Sequence, residues 1–148
     1  MFVPPVEAPS WNVCTVQVDG SALSNRDRKL LRKAKKRIGR LTGIRFVKSN
    51  SNPIPGIRVE YRYTDNFAIA QTATQSDHGK IIWAGIQLFN EYWTVARQGQ
   101  VLKHELLHAI GVGHSNNRRS LMYHQHLPGQ TIPVRLKMKL RSKYRHCL

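Results

Sequence analysis

Carboxylates are scarce in this chain: its 148 residues carry only 8 Asp plus Glu against 24 Lys plus Arg, a formal charge of +16 with His neutral. A calcium site, which needs six to eight oxygen ligands, is therefore hard to assemble. Cysteine is scarcer still. Cys14 and Cys147 allow one disulfide near the two chain ends, which excludes a disulfide-dense miniprotein. The same two thiols could equally stay free and buried, and a bridge is expected only in an oxidising compartment. No apolar run approaches the roughly 20 residues that span a bilayer, so no membrane insertion is expected. Gly and Pro show no period and no internal repeat is found, which excludes a collagen-like or solenoid chain. The opening MFVPPVEAPS has neither a basic n-region nor an apolar stretch of signal-peptide length, so no secretion signal is expected there. Residues 1–12 read as an extended N-terminal segment.

What is present suits a folded unit. With 41% hydrophobic and 22% charged residues, the composition argues against disorder, and the length suits one monomeric domain over 1–148. Residues 13–19, VCTVQVD, alternate β-branched and polar residues and end at an Asp-Gly turn, which predicts a strand. Ser24 is a plausible helix cap; Leu30, Leu31, Ala34, Ile38 and Leu41 follow at helical spacing until Gly39 and Gly43. Short β-rich runs at 44–48 and 57–64 flank a loop of Asn, Pro and Gly. Two further runs, 69–74 and 81–89, are joined by a polar turn, QSDHG. From Thr94 the spacing of Val95, Val101, Leu102, Leu106, Ala109 and Ile110 predicts a second helix ending at Gly111. Leu136, Leu140 and Tyr144 suggest a third, with Pro133 in its first turn, although RLKMKLRSK alternates well enough to be a strand. The expected class is α+β, with five strands and about three helices.

Residues 104–114 read HELLHAIGVGH. His104 and His108 are four apart, so one helical turn brings both imidazoles to one face, and Glu105 beside them can reach a water at a metal. Gly111 allows a left-handed exit from the helix, and the turn can return His114 as a third nitrogen ligand. Three neutral imidazoles suit one zinc ion with an open fourth position, the mark of a catalytic site. Chance would produce HExxH in about one such chain in a hundred, and the eleven-residue form in about three in a hundred thousand, so coincidence fails. A zinc site kept only for folding would not require the neighbouring acid.

HELLHAIGVGH matches the metzincin zinc signature, and Ser120-Leu121-Met122-Tyr123 resembles the Met-turn of that clan. Within it the chain looks most like a matrixin catalytic domain: Ser115 after the third His, the run LMY and the order of elements over 13–145 all agree. The resemblance implies a zincin-type fold with a twisted, mixed five-stranded sheet, an extracellular setting and a zinc endopeptidase acting on protein or peptide. It implies that His104, His108 and His114 hold zinc, which polarises the scissile carbonyl and activates water, with Glu105 as general base. It also implies that Met122 forms an apolar floor under the metal. Substrate contacts would come from Ile69, Ala70, Gln71 and Thr72 on an edge strand, and from Tyr123 and His124.

Departures from that pattern matter equally. The family's structural zinc and calcium ligands have only Asp65, Asp77 and His78 as counterparts, so neither accessory metal is expected. His124 replaces the usual proline after the Met-turn tyrosine. It also occupies the place where some metzincins use a tyrosine as a further metal ligand, and none is expected from Tyr123. His124 and His126 could form a second metal site, but a solvated loop is the preferred reading. WNVCTV around Cys14 does not resemble a zinc-blocking propeptide motif. Nine bases between Arg26 and Arg40 and six between Arg135 and Arg145 offer polyanion contact, and hence the rival reading of a nucleic-acid- or polyanion-binding protein with a structural zinc. A solvated face is preferred, since no nucleic-acid motif accompanies them.

Overall fold

A computed structural model describes residues 8–63 and 68–148. The chain is α+β. Strand β1 (Thr15–Asp19) leads to helix α1 (Asn25–Thr42), followed by β2 (Arg45–Ser49), β3 (Gly56–Tyr61), β4 (Ala70–Asp77) and β5 (Lys80–Leu88). Helices α2 (Val95–Ala109) and α3 (Val134–Lys143) follow, and a single 3₁₀ turn, Arg145–Cys147, ends the chain. The five strands form one mixed sheet in the order β2-β1-β3-β5-β4, in which β4 alone runs antiparallel to its neighbour. No helix of the described residues is long and apolar enough to cross a membrane.

Local chemistry accounts for the helix ends. The Ser24 side chain accepts the Asp27 amide at the start of α1. The helix runs through Gly39, one of its two expected stops, and ends at Gly43, whose φ of 78° only glycine adopts without strain. A Cβ at Gly43 would also strike the Cys147 carbonyl. Leu30, Leu31, Ala34, Ile38 and Leu41 are buried as their spacing predicts. In α2, Thr94 caps the Arg97 amide, and Val101, Leu102, Leu106, Leu107 and Ala109 face the core. Val95 does not: at the first turn of α2 it lies exposed. The ambiguous last segment is helical, with Leu140 and Tyr144 buried, and Pro133 is its cap rather than part of its first turn.

Two expectations change. The turn QSDHG is mostly strand, because β4 extends to Asp77 and only His78 and Gly79, both at positive φ, turn the hairpin. Its exposed polar residues lie on an edge strand and carry no apolar alternation to reveal it. The first strand begins at Thr15 rather than Val13, since residues 12–14 bend toward a Cys14–Cys147 disulfide, which settles the open pairing. Of the N-terminal segment, residues 8–12 are described, and Ser10 forms a parallel β-bridge with Lys80. This part docks: the Ser10 backbone bonds Gly79 and Ile81 at the β4–β5 hairpin. Trp11 is buried, its indole N–H donating to the Ala109 carbonyl at 2.9 Å and its amide to the Tyr144 hydroxyl at 3.1 Å.

A buried carboxylate joins the layers. Asp27, fully enclosed on α1, accepts hydrogen bonds from the Tyr61 hydroxyl at the end of β3 and from the Gln98 amide on α2 at 3.0 Å, beside the Arg26 guanidinium at 3.2 Å. Removing it leaves those donors facing an apolar interior. Asp27→Ala should lower unfolding free energy by about 3 kcal/mol or more, read by urea denaturation, with Asp27→Asn losing less. A change within 0.5 kcal/mol would mean that the network does not brace the fold.

Candidate functional site

Helix α2 carries the site because one of its faces looks away from the core onto β4 and the 114–127 segment. Positions 97, 104, 105 and 108 share that side at helical spacing. Their surroundings define an open cleft of about 840 Å³, bounded by the 68–74 segment on one side and the 124–127 segment on the other.

Two backbone carbonyls aim the helical imidazoles. His104 Nδ1 donates to the Leu121 carbonyl at 2.6 Å, and His108 Nδ1 to the Val112 carbonyl at 2.7 Å. With the proton on Nδ1, each ring presents a lone pair at Nε2. Gly111 leaves the helix at a φ of 93°, where a Cβ would strike the Pro9 carbonyl, and its amide donates to His108. The chain then brings His114 back, so that its Nε2 lies 3.1 Å from His108 Nε2. The three imidazoles form one group able to hold a metal ion, their donor atoms within 4.8 Å of one another. Burial pushes the His104 pKa down to about 3 against the opposing Leu121 bond, and lowers that of His108. Both rings therefore stay unprotonated at neutral pH, as coordination requires.

Glu105 lies next to this group. It is 3% exposed, with Oε1 4.0 Å from His104 Nε2. The Thr72 hydroxyl, reaching across from β4, donates to its Oε2 at 2.5 Å. Burial raises the Glu105 pKa to about 7, the Thr72 bond acting in the opposite direction. Among the described residues β4 pairs only with β5, so its second edge, flanked by Ile69, Ala70, Gln71 and Thr72, faces the cleft.

Met122 is buried in the tight turn between His114 and His126: its carbonyl accepts the Ser115 amide and its amide donates to Ser120 Oγ. His124 lines the cleft and is exposed, whereas half-buried Tyr123 packs against the His124 ring at 4.3 Å and does not line the cleft. The solvated-loop reading holds for His124 and fails for His126. The His126 ring packs edge-on against His104 at 4.5 Å, and its buried Nδ1 has no hydrogen-bond partner. His104, Glu105 and His126 form a second group with metal-ligand spacing. Because His104 has only Nε2 free, the two groups describe competing positions. Only the three-imidazole position leaves Glu105 free for other chemistry.

Sequence reasoning missed the residues that hold the 118–130 segment. Gln130 is buried and spans it, accepting from the Gln100 side chain at 2.8 Å and donating to the Arg118 and Gln125 carbonyls. A lone Gln has no motif; its role exists only where four chain segments meet. Of the sequence's other metal candidates, Asp77 and His78 sit at the exposed hairpin tip and Asp65 lies outside the described residues. The Cys14, His146 and Cys147 group has its thiols in the disulfide. On the far side of the molecule Arg28, Arg32, Lys35 and Lys48 wall a second cavity of about 340 Å³. Burial, then Arg32 and Lys48, lower the Lys35 pKa.

No protein-family model and no curated protein sequence matches the chain. Its chemistry has to be read from the site itself.

The imidazole group predicts a binding result that needs no assumption about reaction. Cobalt(II) at a hundredfold excess over its dissociation constant should stabilise the protein by about 2.7 kcal/mol, seen as a raised melting temperature. Visible absorption should develop as it binds. His108→Ala should abolish both signals; retention of either would show that the ion binds elsewhere.

Proposed function

We propose that this chain is a zinc-dependent endopeptidase of the metzincin type, most like a matrixin catalytic domain. The observation that carries this reading is the convergence of three imidazoles beside a buried carboxylate, in a cleft flanked by a strand edge unpaired among the described residues. Three imidazole nitrogens without cysteine suit zinc, and the backbone carbonyls behind His104 and His108 supply the outer hydrogen bonds that such ligands need. When bound, zinc would supply Lewis-acid polarisation of a carbonyl and a lowered pKa for water.

The residues of the chain divide the remaining work. His104, His108 and His114 hold the ion. The edge of β4 offers main-chain donors and acceptors to an extended peptide, which would bind as a further strand. Glu105 takes the proton of the attacking water on one carboxylate oxygen and passes it to the departing amine nitrogen. Thr72 orients that carboxylate by donating to its other oxygen, leaving Oε1 directed toward the His104 side. Met122 sits within the turn that supports the His104 contact, a positioning role.

Polyanion contact through α1 is a second reading, favoured by the cavity that Arg28, Arg32, Lys35 and Lys48 surround. It should appear as binding of a generic DNA duplex that weakens steeply between 50 and 200 mM salt, on the order of a thousandfold. Arg32→Glu with Lys35→Glu should remove it; salt-independent binding would reject the reading.

For the main proposal, purified protein loaded with zinc should cleave unfolded casein, and o-phenanthroline should stop it. Glu105→Gln should lower the rate by about 10²–10⁴-fold while leaving zinc content unchanged. Cleavage indifferent to that substitution would rule out the general-base assignment.

A further inference from the structure

The cleft continues past the imidazoles toward the first turns of α2, and there its character changes. Arg97 lines this end. It lies seven residues before His104, hence on the same helix face and about 10 Å away along the axis. The Trp93 ring holds it in place, with the guanidinium carbon 4.4 Å from the ring centroid. Nothing neutralises it: none of the ion pairs among the described residues includes Arg97, and its buried Nε–H has no hydrogen-bond partner. His126 lies close enough to interact electrostatically with this guanidinium, and it too has a buried nitrogen, Nδ1, without a partner.

The Arg97 Nε–H, always a donor, calls for an acceptor, and His126 can offer a second N–H beside it in its Nδ1-protonated tautomer. Buried donors are normally satisfied, and the half-buried Arg97 side chain encloses one N–H with neither an acceptor nor a counter-charge beside it. Among the described residues the only carboxylate lining the cleft is Glu105, already bonded to Thr72. We propose that Arg97 and His126 form a subsite for the carboxylate of an acidic side chain, Asp or Glu, on the bound peptide. The inference rests on the endopeptidase reading and names its substrate class. A peptide stretched along the β4 edge advances about 3.3–3.6 Å per residue, so the roughly 10 Å offset sets the acidic residue within one to three positions of the cleaved bond. The guanidinium offers its fork to both carboxylate oxygens, and His126 adds a further contact through its nitrogen.

The test has two arms. In the first, the zinc-loaded protein digests a degenerate peptide library and the cut products are sequenced by mass spectrometry. Asp and Glu should be enriched at one position near the cut, with kcat/KM for a Glu peptide about 10- to 100-fold above that of its Gln twin. Arg97→Met should collapse this ratio toward one, and Arg97→Glu should turn the preference to Lys. Thermal melts confirm that both variants are folded. Apolar enrichment with no acidic preference would overturn the subsite, as would an unchanged ratio in Arg97→Met.

The second arm measures anisotropy of the same fluorescein-labelled Glu and Gln peptides on Glu105→Gln protein, where no cleavage intervenes. Tighter binding of the Glu peptide that is lost in Arg97→Met, with no peptide cut by the wild type, would reject the endopeptidase reading and keep the subsite. Equal binding of the two peptides would reject the subsite whatever the activity.

Discussion

The hydrogen bond from His104 Nδ1 to the Leu121 carbonyl is the contact on which the site depends. It fixes the tautomer and rotation of the most deeply buried imidazole, and it ties α2 to a segment 17 residues downstream. That carbonyl is not free to drift. Leu121 itself donates to the Thr131 carbonyl, Ser120 caps the Met122 amide, and Met122 accepts from Ser115, next to His114. One short chain of bonds thus orients His104 and anchors the return of His114. Convergence of three ring nitrogens follows from backbone geometry rather than from any attraction among the rings, whose mutual proximity disfavours protonation.

The scarcity of acids takes on a clear structural meaning. Asp19, Asp27 and Glu105 are buried, and each has a defined partner: Ser21 for Asp19, Tyr61 and Gln98 for Asp27, Thr72 for Glu105. Half of the described carboxylates are therefore interior groups, and the surface is left overwhelmingly basic. The same imbalance reaches into the cleft, where Arg97 stands without a counter-charge. An acidic partner is the complement such a surface lacks, whether along the proposed substrate groove or across α1.

Stability and site are coupled through the chain termini. Trp11 donates to the carbonyl of Ala109, the last residue of α2, while Tyr144 accepts from Trp11 and donates to the Ile110 carbonyl at 2.7 Å. Lys143 reaches the Gly111 carbonyl at 3.0 Å. Carbonyls left over at the end of α2 are thereby satisfied by residues from both ends of the chain, beside the glycine that redirects it toward His114. The Cys14–Cys147 disulfide joins the same two regions covalently. A helix that must expose one face to a cleft loses packing there, and this clasp replaces it at the C-terminal end.

The sequence by itself determined the class of the fold, the periodic cores of α1 and α2, and the set His104, Glu105, His108 and His114, because i to i+4 spacing and a glycine exit are local geometry. Through resemblance alone it pointed to an edge strand at Ile69 to Thr72; that this strand lines a cleft was seen only in the fold. It did not determine the length of β4, whose polar, exposed residues carry no hydrophobic period. Nor did it pair the cysteines, dock Trp11, or distinguish His126 from His124. Those outcomes depend on contacts between segments as much as 133 residues apart, and side chains such as Gln130, Thr72 and Arg97 take on a role only when the fold sets their partners, or the absence of partners, around them.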